Sequence, residues 1–398
     1  MKVMLLCAAF PPYGKGGGPI SSQMIARSLA EYNDVVVITV SDDYEQWSDG
    51  AVRVKSIGSP NIYWNYWTRH STMARVIWHL LENFNPRAFF RIRREIRLEQ
   101  PDVVATISIE NINVASWFTA YLSGVPIVHF LQSHYLLCWR GSMFLHRHNC
   151  VTQCFSCKVA TSGRRFFSAY VDAVTAEAEP TLTLHLKNGY FKKATSFVAP
   201  AMLGNSTDFI HREDRMGSPL IVGFLGRLTY SKGVHIIARA AKMLVRRDQF
   251  EIVIAGDGDS TYREELGAEF EGCPVSFKGW IASREFFETI DVLVVPSLWR
   301  EPFGRVCIEA FAAGVPVLAS NIGGMPTIVK DKRNGFLFGP GDSQHLATIL
   351  NTLIEDRDQL RALRANCLAD AELYRTDRVG QTIQRQLELL KAHRRRCS

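Results

Sequence analysis

The chain has 398 residues, of which 47% are hydrophobic and 21% charged, and a formal net charge of +7. This length exceeds what one hydrophobic core usually serves, so two domains are expected, and the composition excludes a disordered or fibrous protein. No apolar run reaches the roughly 18 residues that would span a bilayer. The excess of cations lies in the first half, where residues 1–200 hold 20 Lys and Arg against 14 Asp and Glu.

The chain opens with the apolar run KVMLLCAAF, followed by a glycine-rich loop and a helical pattern. Because this run is too short for a signal peptide and lacks a cleavage site, it is predicted to be a first β-strand of a cytoplasmic protein. In the loop PPYGKGGGP, consecutive glycines would let the backbone approach a ligand, and a helix from about Ile20 would direct N–H groups at a phosphate or a sugar hydroxyl. A plain turn is the alternative, since the loop matches neither the Walker nor the dinucleotide pattern.

The segment NPRAFFRIRREIRLEQ, residues 85–100, interleaves arginines with phenylalanines and isoleucines. It predicts a basic amphipathic helix, which could lie on an anionic membrane surface. The alternative is a solvated helix whose apolar stripe packs in the core. Nucleic acid is not expected as a partner, because no recognition motif accompanies the arginines.

Four of the nine cysteines lie close together in the sequence, at Cys138, Cys150, Cys154 and Cys157. Their spacing could supply the ligands of a structural zinc ion. The alternatives are reduced thiols in a loop or disulfides between neighbours. A catalytic zinc is not predicted, because nothing else in the segment is suited to activating water.

Short apolar runs alternate with segments of helical period over residues 1–203 and again over residues 219–375. This alternation is typical of parallel strands in α/β units. It predicts two doubly wound, Rossmann-like domains that face each other across a cleft. The polar residues 204–218 are the predicted linker, and residues 376–398 are predicted to form a charged helix that returns to the first domain.

Two cations and two carboxylates are predicted at one edge of the second sheet. Arg227 and Lys232 follow a predicted strand, and Glu301 follows another. Because Pro302 and Gly304 follow Glu301, that residue is assigned to a loop, and Glu309 to the helix that begins about residue 304. Open α/β proteins bind ligands at this edge, and cations there would stabilise a diphosphate leaving group.

Taken in order, the motifs GRL…KG, IAGDGD, VSFKGW, PSLWREPFGRVCIEAFAAGVPVLAS, IGG and NGFLFGPGD resemble glycosyltransferase family 4. These are retaining enzymes of GT-B fold, including bacterial polysaccharide-type hexosyltransferases. The resemblance implies transfer of a sugar from a UDP- or GDP-linked donor to a saccharide or lipid-linked saccharide, as in lipopolysaccharide or exopolysaccharide biosynthesis. It implies no metal cofactor for catalysis. The basic first half of the chain in addition predicts a peripheral position on the inner face of the membrane.

The resemblance also implies roles for individual residues. Glu301 would hydrogen-bond the donor sugar, and Glu309 would hold the ribose hydroxyls. Arg227 and Lys232 would bind the diphosphate, and with Glu301 they form the predicted catalytic set. The other predicted donor-binding residues are the amides of Phe303, Gly304, Arg305 and Val306, the segment Lys278, Gly279 and Trp280 near the base, and Gly17 and Gly18 in the first loop.

This sequence departs from the family where a His-Asp pair often follows the strand VPIVHFL. Gln132 and Ser133 stand at those positions, so His129, Gln132 and His134 become the candidates for the acceptor or sugar side. Thr327 also stands where relatives tend to have Glu after GGxP.

Two other functions are considered: a non-catalytic partner subunit that binds a nucleotide or sugar, and a phosphorylase-like or synthase enzyme, which the chain length disfavours.

Overall fold

A computed structural model describes most of the chain, and it groups the residues into two compact units. The first unit comprises Met1–Met143, Cys150–Met202 and Thr376–Ser398, and the second comprises Phe144–Asn149 and Leu203–Arg375. The predicted linker falls outside the described residues from position 205 onwards. The described residues are 1–14, 16–65, 68, 70–204, 219–246 and 248–397, with the side chains of 393–397 excepted.

The strands of the described part are numbered in chain order. They are β1 (Lys2–Cys7), β2 (Asp34–Thr39), β3 (Tyr44–Asp49), β4 (Val52–Ile57), β5 (Val103–Ile107), β6 (Ile127–Leu131), β7 (Phe144–Leu145), β8 (His148–Asn149), β9 (Ala173–Ala176), β10 (Thr195–Val198), β11 (Leu220–Leu225), β12 (Phe250–Ala255), β13 (Val275–Gly279), β14 (Val292–Val295), β15 (Val317–Ser320) and β16 (Gly335–Phe338).

The α-helices of the described part are numbered in the same way, and three short 3₁₀ helices lie between them. They are α1 (Gly17–Ala30), α2 (Thr72–Leu81), α3 (Pro86–Glu99), α4 (Ala115–Leu122), α5 (Phe155–Ala160), α6 (Ser162–Phe167), α7 (Glu179–Lys187), α8 (Val234–Lys242), α9 (Ser260–Glu269), α10 (Ser283–Phe287), α11 (Arg305–Ala312), α12 (Met325–Ile328), α13 (Ser343–Glu355), α14 (Arg357–Ala371) and α15 (Thr376–Cys397), with 3₁₀ turns at Ser168–Tyr170, Tyr230–Lys232 and Glu372–Tyr374.

The first unit is built on an eight-stranded sheet of order β10-β9-β6-β5-β1-β2-β4-β3. Its strands pair in parallel except for β3, which is antiparallel to β4. Successive side chains of a strand point to opposite faces. Val3 and Leu5 of β1 accordingly join the core that α1 and α15 cover, whereas Met4 and Leu6 join the core covered by α3 and α4. The sheet is therefore buried on both faces, which explains its continuous apolar strands.

The second unit has a six-stranded, fully parallel sheet of order β13-β12-β11-β14-β15-β16. Helix α8 lies against the core on one face, in a cluster that also includes α13 and α14. The chain runs outwards from β11 through β12 to β13, and then returns to the other side of β11 at β14. Both units are Rossmann-like, which confirms the predicted fold class.

Several elements differ from the sequence prediction. Helix α1 begins at Gly17 and not near Ile20, so the glycines form its first turn. Strands β3, β4, β9 and β16 were not predicted, because they are short or carry polar residues. The hairpin β7–β8 groups with the second unit although it interrupts the first in sequence. Helix α15 belongs to the first unit, where Lys391 Nζ lies 2.8 Å from Asp102 Oδ1.

The basic segment forms α3, and its apolar stripe is used within the core. Ala88, Ile92 and Ile96 are buried, and Arg91 donates from Nη1 to the carbonyl of Ile57 at 2.9 Å. This is the arrangement of a core-packed helix with a solvated basic face. None of the helices that the structure describes combines the length and the apolar content of a membrane-spanning segment.

Candidate active site

The candidate site lies at the carboxyl edge of the second sheet, beside the neighbouring strands β11 and β14. At this point the strand order reverses, because the strands after β11 are added on one side of it and the strands from β14 onwards on the other. Loops that leave such strands diverge and open a crevice, which is where open α/β sheets bind ligands. The loop after β11 carries Arg227 and Lys232, and the loop after β14 carries Glu301.

An ion pair joins the two loops. Lys232 Nζ lies 2.8 Å from Glu301 Oε1, and the Ser297 hydroxyl donates to the same oxygen. Glu301 is only 7% exposed, and the Lys232 ammonium lies 5.8 Å from the centre of the Trp299 ring. A carboxylate has about four acceptor positions, so Glu301 keeps the capacity to accept further hydrogen bonds from a ligand. The pair thus fixes one cation and one acceptor at the crevice.

Close backbone contacts at two glycines hold these loops in place. Gly323 has φ +60°, and a Cβ there would lie 2.5 Å from the carbonyl oxygen of Glu301. The neighbouring N–H of Gly324 donates to that carbonyl at 2.8 Å. At Gly233, with φ +72°, a Cβ would lie 1.9 Å from the Pro296 carbonyl oxygen. Only glycine fits both sites, so the IGG and SKG motifs position Glu301 and Lys232.

Helix α11 begins directly after Glu301. Gly304, with φ 129°, precedes its first residue, Arg305, and Val306 follows. The first N–H groups of a helix have no partner within it and carry partial positive charge, which suits a phosphate or sugar oxygen. Arg305 Nη2 lies 3.5 Å from Glu309 Oε1 on the next turn. Burial raises the pKa of Glu309, and the charge of Arg305 opposes this rise. Phe303 is buried beneath the turn.

The other predicted donor-side residues are more exposed. Lys278 and Gly279 end β13, and Trp280 follows it with 83% of its surface exposed. Gly279 is tied to the loop after β12, because its carbonyl accepts from the N–H of Gly256 at 2.6 Å. Arg227 is also exposed. Since all six strands are parallel, these residues lie at the same edge of the sheet as the ion pair.

Two histidines proposed for the acceptor or sugar side lie in the core of the first unit. His129 is in contact with the Trp117 and Phe191 rings, and its Nδ1 is 2.8 Å from Thr106 Oγ1. Burial lowers the pKa of His129 to about 3. His134 is buried as well, at 2% exposure. Their burial in the core does not support the ligand-binding role proposed for them, because it separates them from solvent.

Gln132 and the first-loop glycines lie at the carboxyl edge of the first sheet. Gln132 donates from Nε2 to Glu177 Oε1 at 3.5 Å and accepts from the Ser108 hydroxyl at 3.4 Å. Gly17 and Gly18 form the first turn of α1. Among the residues that the structure describes, a Cβ on Gly18 would meet no atom within 4 Å, so their packing does not require glycine there.

The four clustered cysteines differ in burial. Cys138 and Cys157 are buried in the apolar core with their sulfurs 3.8 Å apart, whereas Cys154 is exposed at the start of α5. In the part of the chain that is described, no three His, Cys, Asp or Glu side chains are placed to share a metal ion. Cys138, Cys154 and Cys157 are free thiols, and burial raises the pKa of Cys157 to about 12. The described side chains therefore give no support to the zinc site, which stays a prediction.

One residue that supports the site could not be anticipated from the sequence pattern. Asn149, in the hairpin β7–β8, donates from Nδ2 to the carbonyl of Leu298 at 2.6 Å and accepts from the N–H of Arg300 at 3.0 Å. It therefore holds the loop that carries Glu301. Arg147 of the same hairpin lies 4.1 Å from the centre of the Tyr230 ring, in the turn that carries Lys232.

The chain has recognisable relatives in sequence. Residues 206–368 match the family described as Glycosyl transferases group 1. An uncharacterized 42.6 kDa protein in the cps region of Klebsiella pneumoniae is 25% identical over 333 residues, which cover 82% of this chain and 86% of that protein. Sulfoquinovosyl transferase SQD2 of Arabidopsis thaliana is 33% identical over 162 residues, which cover 39% of this chain but only 30% of SQD2.

Solved structures resemble the whole chain. The structure of Anabaena Alr3699/HepE in complex with UDP has a TM-score of 0.72 and 21% identity, covering 98% of this chain and 100% of that one. Sucrose-phosphate synthase (tll1590) from Thermosynechococcus elongatus has a TM-score of 0.75 and 19% identity, covering 98% and 99%. The fold is therefore that of the GT-B glycosyltransferases. Most of the second unit falls within the segment that matches the group 1 glycosyl transferases.

Proposed function

We propose that this protein is a retaining, metal-independent hexosyltransferase that moves a sugar from a UDP- or GDP-linked donor to a saccharide or lipid-linked saccharide acceptor. The observation that carries the proposal is the Lys232–Glu301 ion pair at the switch point of the second sheet. It lies within the segment that matches the group 1 glycosyl transferases. The UDP-glucose complex of HepE supports a nucleotide-sugar donor, and the relative from a cps region supports a role in polysaccharide biosynthesis.

The proposed mechanism rests on electrostatic stabilisation of the leaving group. As the bond from the sugar to the diphosphate breaks, negative charge grows on the diphosphate, where Lys232, Arg227 and the first turn of α11 would stabilise it. Glu301 would accept hydrogen bonds from sugar hydroxyls, and Glu309 would hold the ribose. The acceptor hydroxyl would attack from the same face, and its proton would pass to the departing phosphate oxygen. No protein nucleophile is assigned.

The proposal is tested by incubating the purified protein with a panel of UDP-, GDP- and ADP-linked hexoses. We expect slow hydrolysis of one donor, unchanged by EDTA because lysine and arginine supply the positive charge. We also expect stabilisation by the matching nucleoside diphosphate, which amounts to about 2.7 kcal/mol at 100 times its Kd. Stabilisation without hydrolysis of any donor would favour the non-catalytic subunit, and loss of hydrolysis in EDTA would contradict metal independence.

We also propose that the first unit makes peripheral contact with an anionic membrane. The apolar stripe of α3 is buried, but α2 carries an apolar stripe that faces solvent. Large exposed apolar patches often mark interaction surfaces, and the next helix adds outward-facing arginines that suit anionic lipids. The exposed residues are Met73, Val76, Ile77 and Leu80 on α2 and Arg87, Arg94 and Arg97 on α3.

Vesicle co-sedimentation tests this contact. We expect the Met73→Ser/Leu80→Ser variant to bind vesicles of anionic phospholipid about tenfold or more weakly than the wild type, because each exposed side chain contributes over 1 kcal/mol on insertion. The matched control is Val245→Ser, which removes an apolar side chain that is 81% exposed on the second unit. Equal binding by all three proteins would contradict the proposed surface.

A further inference from the structure

We propose that a cavity in the first unit binds the acceptor, and that this acceptor is a saccharide bearing an anionic group. The inference rests on the proposed function and adds to it the acceptor class and its site. The cavity has a volume of about 530 Å³, which falls within the roughly 300–1,000 Å³ of small-molecule sites. Its walls come from α2, from Glu110 after β5, and from the segment 135–141 after β6.

Aromatic rings form much of the cavity wall. Tyr63 is stacked on Trp78 with ring centres 5.9 Å apart, and both line the cavity. Trp139 lines it too and meets the His79 ring edge-on at 5.2 Å. An aromatic ring presents a flat apolar face and bears its polar group at the edge. A sugar ring is also apolar on its C–H faces and polar at its edge, so the partly exposed ring of Trp139 suits a saccharide. The faces of Tyr63 are already stacked against Trp78 and His70.

A buried carboxylate points to a ligand with hydroxyl groups. Glu110 lines the cavity and is only 9% exposed. Among the described residues, its Oε2 atom has no hydrogen-bond partner, and neither has Nδ1 of His79, which also lines the cavity. A buried polar atom without a partner is costly, and a hydroxyl donor would remove that cost. Sugar hydroxyls can donate to the carboxylate and the imidazole alike.

The charges that face the cavity are predominantly positive. Arg75 and Arg140 line it, and the Arg140 guanidinium lies 5.1 Å from the centre of the Trp139 ring. Burial, with the charges of Arg164 and Arg75, lowers the pKa of His79 to about 4, so this residue is neutral. Two arginines against the single carboxylate of Glu110 leave a positive excess. Arginine binds phosphate and carboxylate in bidentate geometry, which indicates an anionic group on the saccharide.

The anionic group could be the phosphate of a lipid-linked sugar or the carboxylate of an acidic sugar. The exposed apolar stripe of α2 favours the lipid-linked source. Val76 belongs to this stripe and also lines the cavity. A lipid chain attached to the phosphate could therefore lie on α2 while the sugar occupies the cavity.

The test measures quenching of tryptophan fluorescence, since Trp78 and Trp139 line the cavity. The probes are α-D-glucose 1-phosphate, glucuronic acid, methyl α-D-glucoside and inorganic phosphate. We expect saturable quenching by the two anionic sugars, with affinity about tenfold or more above that of the last two probes. The Arg75→Ala/Arg140→Ala variant should lose at least about tenfold in this affinity, since charged hydrogen bonds are lost. Both arginines are exposed, and the thermal unfolding curve checks that the variant folds.

The matched control is Arg165→Ala, which removes an exposed arginine of α6 that does not line the cavity. It should bind the anionic sugars like the wild type. If the acceptor is lipid-linked, glucose carried on a farnesyl diphosphate should bind more tightly than glucose 1-phosphate. Equal affinity of these two probes would indicate a free acidic saccharide. Both results support an anionic saccharide as the acceptor.

Two results would overturn the proposal. One is that neither anionic sugar produces saturable quenching, and the other is that the wild type and the double variant bind the anionic sugars with equal affinity. Donor hydrolysis and sugar binding by the wild-type protein together distinguish failure of the cavity assignment from failure of the proposed function. If it hydrolyses a donor but does not bind the anionic sugars, only the cavity assignment fails. If it binds them but hydrolyses no donor, the cavity stands and the transferase proposal fails.

Discussion

Lys232→Met is expected to lower the turnover number for donor hydrolysis about 10²- to 10³-fold, the usual cost of removing one group that stabilises charge in the transition state. The structure holds Lys232 at the crevice through its 2.8 Å contact with Glu301. Methionine keeps the length of the side chain and removes only the charge. The measurement is release of nucleoside diphosphate under saturating donor, which separates turnover from binding.

Glu301→Gln should lower turnover by a similar factor, because the amide keeps the size of the side chain but loses the charge that holds Lys232. Since the two residues share one ion pair, the Lys232→Met/Glu301→Gln variant should lose less than the product of the two single losses. Arg284→Ala is the matched control, because it breaks the exposed pair of Arg284 and Glu288 in the same unit. Wild-type turnover in either single variant would refute the assignment of the active site.

The second large effect concerns the stability of the first unit. Arg164→Leu is expected to lower the free energy of unfolding by about 3–5 kcal/mol at pH 8, because it leaves buried carboxylates without their compensating charge. Arg164 is fully buried, and its guanidinium lies 3.9 Å from the centre of the Tyr135 ring. Its charge acts on the carboxyl groups of Glu82 and Glu110, both of which are buried. Denaturation followed by tryptophan fluorescence measures the loss.

The pH dependence of this loss provides a further check. Burial raises the pKa of Glu82 to about 7 in the folded protein, from 4.5. Between these values the folded state binds more protons than the unfolded state, so the free energy of unfolding falls as the pH rises. At pH 5 Glu82 is protonated in the folded protein, and the cost of Arg164→Leu should be smaller. Arg165→Leu, at the exposed neighbouring position, should change stability by only about 0.5 kcal/mol. Equal losses in both variants would refute the role of Arg164.

Much of the candidate site follows from local sequence patterns. A Pro and a Gly after Glu301 predicted that the helix begins near position 304, and α11 does begin at Arg305. Lys232 and Glu301 are 69 positions apart, yet both were placed at one sheet edge, because parallel strands bring their carboxyl ends to the same side. The direct contact between them required the structure, since it depends on the backbone contacts at Gly233 and Gly323.

For other predicted site residues, the structure adds burial that the sequence pattern did not specify. His129 lies in a predicted strand, close to its carboxyl end. In the structure this strand, β6, is inside the sheet, and the His129 side chain contacts aromatic rings of the core. The cysteine spacing fitted a metal site, but Cys138 and Cys157 pack among apolar residues while Cys154 is exposed. Spacing along the chain does not specify which side chains are turned inwards, so the burial of His129, Cys138 and Cys157 became evident only in the structure.

The sequence by itself determined the two Rossmann-like units, the turns that precede their helices and the identity of the charged groups at the second sheet edge. These features follow from periodicity and from the local conformations of Pro and Gly, which act over a few residues. Only the tertiary structure decided the Lys232–Glu301 pairing, the support from Asn149 and the cavity that joins Arg75, Glu110 and Arg140. Such contacts join distant segments, and packing of the whole unit selects them from many alternatives that the sequence pattern allows equally.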